Sequence, residues 1–177
     1  TRDFLDGVPF LEPFVAIPYL AARTEKLRFT TSVIKLAIRQ PVIVAKQLSS
    51  LGVLLGDRFG FGVGISPWPE DFMVSQIAWE KRGKRMDEMM EIINGLMSGE
   101  YFGYEGEIFE IEPIKLCPVP KHHIPLLVGG HAKPALRRAA RLGDGWISAG
   151  STLAELRDMI GQIEFLRKEY GRDEGPF

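Results

Sequence analysis

The chain has 177 residues, 45% of them hydrophobic and 25% charged, with a net charge of −1. That length can bury one sizeable core, and near-neutral charge argues against nucleic acid as the main partner, because phosphate-backbone binding needs a basic surface. No apolar run reaches the length of a membrane span, Thr1 opens in polar sequence without a signal-peptide pattern, and a single Cys117 excludes an internal disulfide, so a reducing, cytoplasmic setting without membrane contact is the expectation.

Residues 1–7 read as a polar lead-in with turn character. From Leu11 to Arg23 the pattern predicts a helix with Phe14, Ile17, Leu20 and Ala21 on one side. Pro13 fits its first turn, whereas Pro18 removes a backbone donor in mid-helix and should kink it. Leu27 to Leu36 is rich in β-branched residues and reads as one strand. Pro41 then opens a helix to Leu51, with Ile43, Val44, Leu48 and Leu51 as its apolar face. Arg58 to Gly64 is a glycine-spaced strand, and Ile65 to Arg82 is irregular. Trp68 and Trp79 in that irregular stretch either wall a pocket or pack beneath a long loop. A strong helix follows from Gly83 to Ser98, burying Met86, Met89, Met90, Ile93, Leu96 and Met97 as core filler. Its charges (Lys84, Arg85, Asp87, Glu88 and Glu91) read as a solvated face. Tyr101 to Ile111 alternates and should form a small hairpin outside the main sheet.

Ile124 to Gly150 contains a short buried strand (Pro125 to Val128), a Gly129-Gly130 turn, a helix, a Gly-Asp-Gly turn and a second strand (Trp146 to Ser148). Two strands joined by one helix make a parallel βαβ unit. At its Gly-Gly junction, residues without side chains let a ligand approach backbone N–H groups at a helix N-terminus, a place for a phosphate. A tight turn with no ligand has the same sequence signature. The last helix runs from Thr152 to Tyr170, with Thr152 and Glu155 as a capping box and Leu153, Leu156, Met159, Ile160, Ile163 and Leu166 facing inward. Strands alternating with helices imply a parallel sheet covered by helices. Four main strands are visible, and a closed (β/α) barrel needs eight.

Several chemistries lack their motifs. Gly60-Phe61-Gly62-Val63-Gly64 has the wrong spacing for a dinucleotide fingerprint, and Ile65-Ser66-Pro67 blocks the helix that should follow. Neither a P-loop nor a G-x-S-x-G elbow is present. His122 and His123 are adjacent and His131 stands apart, so no metal site is assigned. Cys117, between Leu116 and Pro118, reads as a buried bystander. An aldolase or hydrolase would need a lysine, paired carboxylates or metal ligands at strand ends, and Lys35 is the candidate of that sort. No protein acid, base or nucleophile is evident, which suits a cofactor that brings its own reactivity.

The runs RQPVIVAKQLSSLGVLLGDRFGFGVG, RGKRMDEMMEIINGLMSGE and IPLLVGGHAKPALRRAARLGDGW occur in this order. With them the chain resembles the bacterial luciferase-like oxidoreductases, flavin- or deazaflavin-dependent (β/α)8 TIM-barrel enzymes. The likeness runs from about Pro9 to Gly150, and the loop ISPWPEDF looks closer to the branch that uses coenzyme F420. It implies one barrel domain over residues 1–177, incomplete at both ends and covering about strands three to six, with FMN or F420 as cofactor. Thr31-Ser32-Val33 matches the strand-three bulge, so Ser32–Val33 is expected to be a cis peptide. Gly62, Gly64 and Ile65 match the end of strand four, along the cofactor ring. Gly129, Gly130, His131 and Ala132 match the turn that receives the cofactor phosphate. Arg137, Arg138 and Arg141 are expected in surface ion pairs, and Asp144 and Trp146 in structural roles. The function implied is hydride or electron transfer to or from a small organic substrate, with oxygen insertion if the cofactor is flavin; Glu70 and Asp71 are conceivable proton donors, though helix capping or surface charge suits them better. A homodimer is implied, and a non-catalytic flavin-binding or assembly subunit is the alternative.

Overall fold

The computed structural model describes residues 7–175 and residue 177, so the lead-in read over residues 1–6 lies outside them. Helix α1 (Pro13–Ala21) starts where the Glu12 carboxylate accepts the Phe14 N–H at 2.6 Å, and Pro18 sits inside it. The strand expected over Leu27–Leu36 is two short pieces, β1 (Phe29–Thr30) and β2 (Ile34–Lys35). Both pair in parallel with β3 (Phe59–Gly64) on the same side: Thr30 lies opposite Gly60 and Ile34 opposite Val63. Four steps along the chain thus match three along β3, an extra residue that bulges out of the ladder. The Ser32–Val33 peptide within the bulge is cis, as expected.

Helix α2 (Pro41–Leu55) runs one turn beyond the expected end, to Gly56. Val44, Leu48, Leu51 and Leu55 form its buried stripe, which leaves Ile43 exposed, about 100° around the helix from Val44. A short helix α3 (Pro69–Val74) lies inside the stretch read as irregular, with Phe72 buried against Trp79. Helix α4 (Arg82–Leu96) and the antiparallel pair β4 (Phe102–Glu105) and β5 (Glu110–Ile114) follow, the pair forming its own two-stranded sheet as expected. Then come β6 (Leu126–Gly129), α5 (Lys133–Leu142), β7 (Gly145–Ile147) and α6 (Leu153–Glu169). The Thr152–Glu155 capping box is present, but Leu153 and Ile160 are exposed rather than inward-facing.

The main sheet has β1 and β2 on one flank of β3 and β6 then β7 on the other, every pair parallel. Residues alternate across a strand. Phe59, Phe61 and Val63 join Leu126 and Val128 in the core beneath the helices, against Val44, Leu48, Met89 and Ile93. The other face carries Gly60, Gly62 and Gly64 beside Leu127 and Gly129.

Charges also enter the core. Glu88 is fully buried instead of solvated, and its carboxylate accepts the N–H groups of Glu107, Ile108 and Phe109 at 2.8–3.0 Å, anchoring the β4–β5 turn to α4. Burial works against its charge, but these amides and Lys84 outweigh that cost and hold the carboxyl below its ordinary value. Arg138, expected at the surface, is 5% exposed and pairs with Asp87 while donating to the Gly83 carbonyl at 3.0 Å. Arg141 reaches Asp87 and Glu91 from a more exposed position. Cys117 is exposed, not buried.

A depressed carboxyl stabilises the fold above its unfolded pKa and loses that contribution as pH falls through the folded value. Glu88→Gln is therefore expected to lower stability near neutral pH by about 2 kcal/mol, with faster amide exchange at residues 107–109. The difference from wild type should shrink as pH drops below the ordinary glutamate range, about 4.3. Denaturant melts across pH with hydrogen exchange check this; a gap that widens in acid would contradict it.

Candidate active site

Parallel pairing puts the C-terminal ends of β2, β3, β6 and β7 at one edge of the sheet. Lys35 lies opposite Gly64, Val63 opposite Val128, and Gly129 opposite Ile147. The junctions singled out in the sequence therefore open toward a common rim.

The rim has a floor without side chains of its own. Val33, an exposed apolar residue of the bulge, covers it: a Cβ on Gly64 would sit 2.7 Å from one Val33 methyl, and one on Gly129 would sit 2.8 Å from the other. Gly62 lies a layer deeper, where a Cβ would fall 1.7 Å from the Thr31 carbonyl oxygen and 2.8 Å from Ile147. The Thr31 hydroxyl donates to the Gly62 carbonyl at 2.7 Å and closes this layer. Val33, Gly64 and Gly129 are thus brought together, with Ser32 exposed beside them and Ile65 half-buried at the end of β3.

Beyond Gly129 the backbone turns at Gly130, whose φ of +124° a side chain would resist. Gly130, His131, Ala132 and Lys133 are all exposed, and α5 begins at Ala132 with no side-chain cap. The first N–H groups of a helix have no partner within it and carry partial positive charge. Neighbouring α6, by contrast, is closed by Thr152 and Glu155. A cavity of about 310 Å3 lies between the two helix starts, lined in part by His131, Lys133, Ser151, Glu155, Asp158 and Met159. The uncapped start of α5 is the candidate place for a phosphate, and the glycine rim beside it the candidate place for a flat ring.

Two contacts between adjacent loops shape the cradle. The Trp146 indole N–H donates to the Gly130 carbonyl at 2.8 Å, and His131 Nε2 accepts the Ala149 N–H at 2.9 Å. This contact turns the imidazole toward the loop after β7. Trp146 packs against the core in keeping with its structural role, but its bond to Gly130 and the part of Ala149 were not read; the parallel adjacency of β6 and β7 was the signal that could have found both. Asp144 is structural as expected, accepting the Leu126 N–H at 2.9 Å and pairing with His123 at the opposite edge of the sheet. Arg137 is exposed on α5.

On the far side of the rim, Lys35 Nζ pairs with Asp71 at 2.6 Å and lies 4.7 Å from the Trp68 ring. Ser66 donates to Asp71 and its hydroxyl oxygen accepts the Trp68 N–H at 3.2 Å. Asp71 is buried, not a surface charge, while Glu70 beside it is exposed. Lys35 is thus tied to Asp71 and the Trp68 ring in this arrangement.

The comparisons with known proteins bear on the family and the fold. An uncharacterized protein of Mycobacterium tuberculosis is 50% identical over 171 residues, covering 97% of this chain, which spans 59% of that relative. The F420-dependent glucose-6-phosphate dehydrogenase of Microbacterium testaceum is 30% identical over 148 residues, 80% of this chain and 44% of its own length. The crystal structure of riboflavin lyase with modified FMN and riboflavin superposes with a TM-score of 0.84 at 20% identity, over 96% of this chain and 44% of that one. The fold is thus that of a luciferase-like TIM barrel, of which these residues span part. The luciferase-like monooxygenase description matches residues 1–177, and the chain belongs to that family.

Proposed function

We propose that this protein binds FMN or coenzyme F420 at the rim and is an oxidoreductase, exchanging a hydride or electrons with a small organic substrate. The observation that carries the reading is the pairing of an uncapped, exposed helix start at Ala132 with a glycine floor under Val33. A family relative that uses F420 and a fold neighbour holding modified FMN support the same class of cofactor.

In this reading the amides from Gly130 to Lys133 and the Lys133 ammonium hold the phosphate. Val33, Gly64, Ile65 and Gly129 support the ring, with Ser32 exposed at its edge and Gly62 keeping the layer beneath them thin. His131 positions the loop after β7 through its bond to the Ala149 N–H. When bound, the cofactor supplies the redox chemistry, including oxygen insertion if it is flavin. The chain holds the ring flat and excludes water from one face. A homodimer in the cytoplasm, acting on a small molecule without nucleic acid or membrane, completes the proposal.

Full-length protein titrated with FMN and with F420, followed by fluorescence and absorbance, is expected to bind one of them at micromolar concentration. Affinity for neither at high micromolar concentration would sink the reading, and binding without turnover would favour a non-catalytic subunit. Ala132→Asp separates fold from site. An aspartate at this N-cap should stabilise α5 by about 1 kcal/mol, yet place a negative charge where the phosphate docks. Thermal melting should rise slightly while cofactor affinity falls at least tenfold; unchanged affinity would remove the phosphate from this turn.

A further inference from the structure

The geometry points to a second binding site at the opposite edge of the sheet from the rim, a cleft that takes the apolar chain of a medium-length carboxylic acid with its carboxylate at Lys121. The cleft measures about 340 Å3 and opens beside the loop that leads into β6. Its base is formed by Leu48 of α2, Phe61 of β3, Ile93 of α4 and Leu126 of β6, core residues 1–2% exposed.

The loop beside the cleft is tied down. Lys46 Nζ donates to the Cys117 carbonyl at 2.7 Å, and the Ser49 hydroxyl donates to the Pro118 carbonyl. A Cβ on Gly52 would lie 2.7 Å from Pro120 and one on Gly99 2.8 Å from Val119, so the loop presses onto α2 and the end of α4. At its far end His123 pairs with Asp144 at 2.8 Å, and Asp144 accepts the Leu126 N–H. Close packing leaves few gaps larger than a water, and one of this size beside a fixed loop, with an apolar base and a polar mouth, has the form of a small-molecule site. At about 30 Å3 for each water-sized group, it holds on the order of ten, as many heavy atoms as octanoate has.

The mouth selects the head group. Lys121 and His122 line it from exposed positions, without a hydrogen-bond or ion-pair partner among the described residues. Among the described residues of the lining there is no carboxylate. Asp144 lies outside the lining, paired with His123 and reached by Arg172 at 3.9 Å. Lys121 therefore stands at the mouth as an uncompensated cation. A monocarboxylate matches it with one charge and accepts its N–H groups, whereas an ammonium head would meet a like charge.

Calorimetry and amide NMR on the full-length protein test this with octanoate, hexanoate, octanol and octylammonium. Octanoate is expected to bind more tightly than octanol or octylammonium, and about tenfold more tightly than hexanoate because it buries two further methylenes. Lys121→Met should weaken octanoate about fivefold, the range of an exposed ion pair, and leave octanol unchanged. Lys121→Arg should restore octanoate to within about twofold. In wild type, saturation with octanoate should shift the amides of residues 121–126 and leave those of residues 129–133 in place, a readout that needs no variant. A packing gap with no ligand role would bind no octanoate. Absent binding, octylammonium as the tighter ligand, affinity independent of chain length or of Lys121, or shifts confined to residues 129–133 would overturn the inference. Failure of FMN and F420 to bind would strike the preceding proposal alone, because octanoate is read at the other edge of the sheet.

Discussion

Parallel pairing on both flanks of β3 is the constraint from which the functional geometry follows. A parallel strand cannot return by a hairpin, so each crossover runs through a helix and each strand ends at the same edge. The bulge after β1, the loop after β3, the Gly-Gly turn after β6 and the loop after β7 are therefore neighbours, although residues 32 and 147 are far apart in the chain. Ligands of α/β sheets and barrels collect at that edge for the same reason.

The second constraint is close approach. Where the Thr31 carbonyl reaches Gly62 and the Val33 methyls reach Gly64 and Gly129, any larger residue on the floor would push the bulge away. Side chains are excluded from one face of β3 while Phe59, Phe61 and Val63 fill the other with core. A single strand thus anchors the hydrophobic layer and presents bare backbone to the rim. The alternation of glycine with bulky residues meets both demands at once.

Buried charges act as further ties between elements that also meet in the apolar core. Glu88 gathers the β4–β5 turn, Arg138 ties α5 to α4 through Asp87 and Gly83, and Lys35 with Asp71 ties β2 to α3. Each tie is a charged group satisfied by hydrogen bonds, the condition under which such groups tolerate burial. Trp146 and His131 likewise tie together the two loops at the cradle.

Much of this was legible in the chain. β-branched runs, capping residues and the glycine turns placed the helices and strands, because propensity and hydrophobic period are local properties. The family likeness placed the bulge. The interruption of the strand at Ser32–Val33 as a pairing defect, the short helix at Pro69, the exposure of Ile43, Leu153 and Ile160, and the burial of Glu88, Arg138 and Asp71 were not legible from residue type. A charged residue on a helix reads as solvated until the partner that faces it is known, and Glu88 meets its partners some twenty residues later in the chain. The sequence by itself determined the order of strands and helices and the bare backbone at residues 60–64 and 129–130. Tertiary structure alone decided which charges lie inside and which loops touch, since both depend on contacts between segments whose separation along the chain carries no trace of their distance in space.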